Sequence, residues 1–234
     1  MIFDPVVVEN YAGCAKALPT WLEAARQRQT DDANLRMVID DDAAYRDKTG
    51  HRYAHFVDGG ITDNLGLRAL LETVEVVGGA KDTLQQLGLP APRRIAVIAV
   101  NASADARQGI DASVLQPTIE QTLNAVTNIQ LQRYNSDTLQ AMQRSLARWS
   151  KELSTPERPV QTFFIRLSFD DVPDLPLRRF LNEIPTSLAL SDEQIDRLIA
   201  AGRALLRRNA EFQRLVASLD GPPGKAPAAA APSR

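Results

Sequence analysis

Six consecutive apolar residues, Ile95-Ala96-Val97-Ile98-Ala99-Val100, sit between Arg93-Arg94 and Asn101. A run of that length without alternation predicts a strand buried on both faces, and hence a parallel sheet covered by helices. A second strand is predicted over 161–169, Gln-Thr-Phe-Phe-Ile-Arg-Leu-Ser-Phe, which is rich in β-formers and follows the breaker Pro159. Between the two, 113–150 contains no Gly and no Pro after Pro117, while Val114, Ile119, Leu123, Val126, Leu131, Leu139, Met142, Leu146 and Trp149 recur at near-helical spacing. That pattern reads as one long helix, or as two with a break near Asn135-Ser136.

Upstream, Leu67, Leu70, Leu71, Val74 and Val77 follow the i, i+3, i+4, i+7 spacing of an amphipathic helix closed by Gly78-Gly79. Residues 43–58 read as a β-hairpin, with two strand-like arms around Asp47-Lys48-Thr49-Gly50 and the second arm, Tyr53-Ala54-His55-Phe56-Val57, ending on Asp58. Ser191-Asp192-Glu193-Gln194 has the form of a capping box and opens a helix whose stripe runs Ile195, Leu198, Ile199, Leu205, Leu206, Phe212, Leu215. From Gly221 the chain is Pro, Gly, Ala and Lys until Ser233-Arg234, too poor in apolar bulk to offset its ordering entropy. The expectation is a single α/β domain over 1–219, a sheet with helices on both faces, and a disordered Pro/Ala-rich tail at 220–234.

Composition narrows the function classes. A chain of 234 residues with 44% hydrophobic and 24% charged residues is built to fold around one core. A formal charge of -2 argues against nucleic acid as a partner, because phosphate binding needs a concentrated basic face. The lone cysteine, Cys14, rules out an internal disulfide and any cysteine metal cluster. No signal-like N-terminus and no apolar run of the roughly 20 residues that span a bilayer is visible. The chain is therefore expected to be soluble as given, and membrane-associated or exported if a signal lies upstream.

The stretch with chemistry in it is Phe56-Val57-Asp58-Gly59-Gly60-Ile61-Thr62-Asp63-Asn64-Leu65-Gly66-Leu67. A carboxylate at a strand exit is followed by two residues without side chains, so the backbone can turn sharply and leave the carboxylate accessible. Strand ends are where α/β folds place their sites, and Asn64 or Thr62 can cap the following helix, leaving Asp58 for another task. Asp-Gly alone is also an ordinary turn.

The longer context resembles the Asp-Gly-Gly/Ala signature of patatin-like phospholipases, in particular their bacterial branch. Phe3-Asp4-Pro5-Val6, Ile184-Pro185-Thr186-Ser187-Leu188 and Ile199-Ala200-Ala201-Gly202-Arg203-Ala204-Leu205-Leu206 resemble the same family more softly, so the likeness spans most of the chain. The resemblance implies a three-layer α/β/α sheet flanked by helices and a lipid acyl hydrolase. It makes Asp58 the catalytic partner of a serine in a two-residue dyad, with Gly59 and Gly60 completing the motif at 51–77. The carboxylate would act as general base on the serine hydroxyl, backbone N–H groups of a Gly-rich loop would hold the oxyanion, and no cofactor or metal is called for.

One part of the family pattern is absent. A nucleophile elbow needs Gly-x-Ser-x-Gly, and no serine among the 234 residues has it. Ser103, in Asn101-Ala102-Ser103-Ala104-Asp105, is the nearest imitation, but Ala102 and Ala104 do not supply the glycines and the family's serine precedes its Asp-Gly-Gly. The expectation is a C-terminal portion of such a hydrolase, incomplete on its N-terminal side, supplying the base and inactive alone. The alternative is a non-catalytic lipid-binding or interaction protein on a decayed patatin fold.

Two other clusters merit weighing. His51 and His55, placed on the hairpin arm with Asp40, Asp41 and Asp42 just ahead of its turn, have metal-ligand chemistry; Asp before a turn serves backbone hydrogen bonds, and such runs are ordinarily solvated. Metal is not expected as a partner. Arg203, Arg207, Arg208 and Arg214 form a basic face suited either to solvent or to peripheral contact with anionic headgroups. Trp21 and Trp149 read as core or interface anchors. The resemblance implies a lipid or other acyl ester as substrate.

Overall fold

A computed structural model of the chain describes residues 5–11, 17–28, 33–61, 63–102, 114, 116–185, 187 and 189–220. Cys14, Thr62, Ser103 and the predicted tail beyond Asp220 lie outside them. The elements in chain order are β1 (Val6–Glu9), α1 (Thr20–Gln27), α2 (Ala33–Ala44), β2 (Tyr53–Phe56), α3 (Leu67–Val77), α4 (Ala80–Gln86), β3 (Arg94–Asn101), α5 (Ile119–Leu153), β4 (Gln161–Ser168), α6 (Leu175–Asn182), α7 (Asp192–Arg208) and α8 (Ala210–Asp220). The fold is mixed α/β.

The predicted parallel pair is present. β3 and β4 run side by side from Arg94↔Gln161 to Asn101↔Ser168, with α5 in the connection. α5 is one unbroken helix of 35 residues, so the break considered near Asn135-Ser136 does not occur. Its start is set by a capping box, in which the Thr118 side chain accepts from Gln121 N–H and the Gln121 side chain from Thr118 N–H. Asn135 is buried within it at 7% exposure.

Leu67, Leu71 and Val74 of α3, Ala80 of α4, Ala99 of β3 and Met142, Leu146, Trp149 and Leu153 of α5 form one core cluster, against which Ile95, Val97 and Phe164 pack. The opposite face of β4, Phe163, Ile165 and Leu167, is covered by Leu205 and Leu206 of α7 and Phe212 and Leu215 of α8. β4 is therefore covered by helices on both sides.

β3 is not. The expectation of a strand buried on both faces fails for its outer face, where Ile98 is 48% and Val100 62% exposed. Parallel register puts Ala96, Ile98 and Val100 on the same face as Phe163, Ile165 and Leu167. The two helices that cover that face pack chiefly on β4, and α8 reaches β3 at its first residue, where Arg94 donates to the Ser218 carbonyl.

Two further expectations are corrected. Residues 43–58 are not a hairpin: the first arm belongs to the end of α2, and the second, β2, pairs antiparallel with β1 from Val6↔Phe56 to Glu9↔Tyr53. The turn chemistry was legible all the same, since the Asp47 carboxylate accepts from Thr49 N–H at 3.0 Å. The last helix is two: Asn209, at ψ 122°, ends α7, and its Oδ1 accepts from Glu211 and Phe212 N–H to start α8. α6, capped by Asp174 accepting from Leu177 N–H, was not foreseen.

The uneven cover of the parallel pair sets unequal costs for truncation. Ile165→Ala, at a fully buried position, is expected to cost about 2–5 kcal/mol in urea unfolding, whereas Val100→Ala on the bare face should stay within about 1 kcal/mol. Equal losses would mean that β3 is as well covered as β4.

Candidate active site

Asp58 stands two residues beyond β2 and is half-buried, as a strand exit requires of a carboxylate meant to stay accessible. The strand it leaves belongs to the antiparallel β1–β2 ribbon, not to the parallel pair. A 3₁₀ turn, Gly59–Ile61, follows at once. Gly60 N–H donates to Asp58 Oδ1 at 2.8 Å, so the turn's own backbone orients the carboxylate.

The glycines act differently from the sequence reading. Neither Gly59 nor Gly60 has a positive φ, so the turn does not need them for left-handed backbone. A Cβ at position 60 would stand 3.1 Å from Asp58 Oδ1, while one at position 59 would meet nothing within 4 Å. Gly60 thus matters for the closeness of its N–H to the carboxylate; position 59 is open.

The start of α3 draws on a further residue. Of the expected capping residues, Thr62 lies outside the described residues; a third residue, Asp63, takes part, its Oδ2 accepting from Arg68 N–H at 2.9 Å and Ala69 N–H at 3.0 Å. Asp63 N–H donates to Gly59 O at 2.7 Å, and Gly66 N–H to Asp63 O at 2.9 Å. One residue therefore ties the glycine turn to the helix, and its negative charge lies at the positive end of the helix dipole. Asp63 was missed as a positioning residue although its type, four residues ahead of the first helical position, is the one such a task favours. Its second oxygen, Oδ1, is buried and has no hydrogen-bond partner. Arg68 lies beside it on α3 with its guanidinium 4.8 Å from the centre of the Tyr134 ring on α5.

The arrangement can position a carboxylate base. Ser103 falls outside the described residues. The histidine–aspartate cluster is not assembled: His51 precedes β2 and packs its ring on Tyr45 at 5.3 Å, His55 sits on β2 opposite Val7, and Asp40 and Asp41 are exposed on α2, just ahead of the turn. Among the described residues no three His, Cys, Asp or Glu side chains gather to hold a metal ion. Of the arginine face, Arg214 pairs with Glu211 at 3.0 Å and lies over the Phe163 ring, while Arg203, Arg207 and Arg208 are exposed.

Comparison with protein-family models, with curated proteins and with solved structures finds no match.

The two glycines separate experimentally. Gly59→Ala should change stability by no more than about 0.5 kcal/mol, and Gly60→Val should cost on the order of 1–3 kcal/mol by crowding the Asp58 carboxylate. Thermal melts of the two variants give the comparison, and the reverse order would contradict the turn geometry.

Proposed function

We propose that this chain supplies the catalytic carboxylate, Asp58, of a serine-dependent lipid acyl hydrolase, on a three-layer patatin-like sheet completed on its N-terminal side by polypeptide outside these 234 residues. The observation that carries the reading is Asp58 itself: a half-buried carboxylate at a strand exit, held by Gly60 N–H, ahead of a helix that a different aspartate caps. Asp63 serves the helix, its Oδ2 accepting from Arg68 and Ala69 N–H.

In the dyad, a serine hydroxyl attacks the ester carbonyl carbon as Asp58 takes its proton. The carboxylic acid so formed returns the proton to the leaving alkoxide, giving acyl-enzyme and alcohol; water then attacks the acyl-enzyme with Asp58 again as base and yields the fatty acid. Neutralising the carboxylate removes the base in both halves.

Uncovered apolar surface supports the incomplete sheet. β1 and β2 expose both faces of their ribbon, with Val6 at 58% and Phe56 at 59% on one and Val7 at 53% on the other. A two-stranded ribbon is marginal alone and ordinarily extends into a larger sheet. The bare face of β3 and the exposed Ile119, Val126 and Ile129 on the first turns of α5 add to it. Among the described residues no helix is long and apolar enough to cross a membrane.

A fluorophosphonate probe, which labels activated serines covalently, tests the reading. The 234-residue chain should take no label, and a product translated from further upstream should carry it on a Gly-x-Ser-x-Gly serine ahead of Met1. Label mapped by mass spectrometry to Ser103, or to any serine within the 234 residues, would overturn it.

A further inference from the structure

An aspartate followed by glycine carries an electrophile and a nucleophile on adjacent residues: the side-chain carboxyl, and a peptide nitrogen that no glycine side chain shields. Two aspartates in the chain precede a glycine, Asp58 and Asp220. At Asp58 the turn brings the parts of a cyclisation together. Gly59 is exposed, and a Cβ there would meet nothing within 4 Å, so the peptide that would react is open.

The contact that orients the carboxyl also favours the reaction. Gly60 N–H donates to Asp58 Oδ1 at 2.8 Å. That N–H lies one peptide beyond Gly59 N, so the bond draws the carboxyl to the C-terminal side of its own Cα, toward the nitrogen that would attack it. Attack on Cγ pushes electrons onto Oδ1, and a backbone N–H already aimed at that oxygen is the donor a developing oxyanion needs. The ribbon that Asp58 leaves has uncovered faces, which gives the local backbone room to adjust.

We propose that Asp58-Gly59 is a self-modifying site, at which the aspartate converts spontaneously to isoaspartate. Gly59 N attacks Cγ of the protonated Asp58 carboxyl. The N–Cγ bond forms, the Cγ–Oδ2 bond breaks, and Oδ2 leaves as water with its own proton and the one from nitrogen. The product is a cyclic succinimide. Water then attacks its main-chain carbonyl carbon, the bond from that carbon to nitrogen breaks, and the chain runs on through Cγ. Atoms balance, with one water lost and one regained. The backbone gains a methylene and the carboxylate is left directly on Cα. Nothing in this conversion depends on the role given to Asp58; in the proposed hydrolase it would move the base out of position.

The experiment incubates the folded 234-residue chain beside the synthetic peptide 53–68, which trypsin also releases from the chain, in water enriched in heavy oxygen. Digestion in ordinary water and electron-transfer fragmentation then separate isoaspartate from aspartate at each position. Isoaspartate carrying one heavy oxygen should appear at residue 58, about 2- to 10-fold faster in the folded chain than in the peptide, the worth of one hydrogen bond to the oxyanion. Gly59→Ala, at the open position, should keep the fold by circular dichroism and bring the rate in the folded chain below that of the unsubstituted peptide. A rate in the folded chain no higher than the peptide's would show that Gly60 N–H only clamps the carboxyl, and the proposal would fall. It would fall equally if Gly59→Ala left the rate unchanged.

Discussion

Met142, Leu146, Trp149 and Leu153 fall on one stripe of α5 and pack at once with residues of α3, α4 and β3. The rest of the molecule is arranged around that seam. α5 is also the connection that lets β3 and β4 lie parallel, since a parallel pair needs a crossover long enough to return the chain to the same end. Polar contacts lock the orientation: Arg148 pairs with Glu75 of α3, and Glu152 accepts from Ala80 and Lys81 N–H at the start of α4. Gly79 fits that junction for two reasons. Its φ is 110°, and a Cβ there would stand 3.0 Å from Glu152 Oε1.

Through α3, the seam reaches the candidate site. α3 is pinned to α5 by Leu67, Leu71 and Val74, and its first turn is fixed by Asp63, which also closes the glycine turn around Asp58. The carboxylate is thus linked to the core over a few residues of hydrogen-bonded backbone. A base held in this way loses little entropy when a proton donor meets it, which is what general-base catalysis asks of its scaffold.

Patterns confined to one element were readable from the residues. The 3.6-residue stripe of α3, its closure at Gly78-Gly79, the capping box at Ser191 and the strand cores of β3 and β4 all depend on neighbours in sequence, and all are present. What the residues did not reveal depends on partners distant in the chain. β2 carried the pattern of a hairpin arm, yet its partner is β1, more than forty residues before it, and local turn signals say nothing about that choice. The apolar run of β3 marked a strand without telling how far α7 and α8 would extend over it. Asn209 divides the last helix although the apolar stripe continues past it, because its side chain competes for the next turn's N–H groups. At the site, Asp58 and Gly60 were legible as a motif, while the division of work between Asp58 and Asp63 emerged only from the hydrogen bonds.

Uncovered apolar residues lie on the β1–β2 ribbon that leads to Asp58, on the outer face of β3 and on the first turns of α5. The account rests on Asp58 as the base. Its most direct test is steady-state hydrolysis of a medium-chain ester by the protein extended to include the upstream coding sequence, compared with Asp58→Asn in the same background. The account predicts a fall in kcat of about 10²–10⁴-fold with KM little changed. Activity within a few-fold of the unsubstituted protein would remove Asp58 from catalysis and leave the glycine turn as structure only.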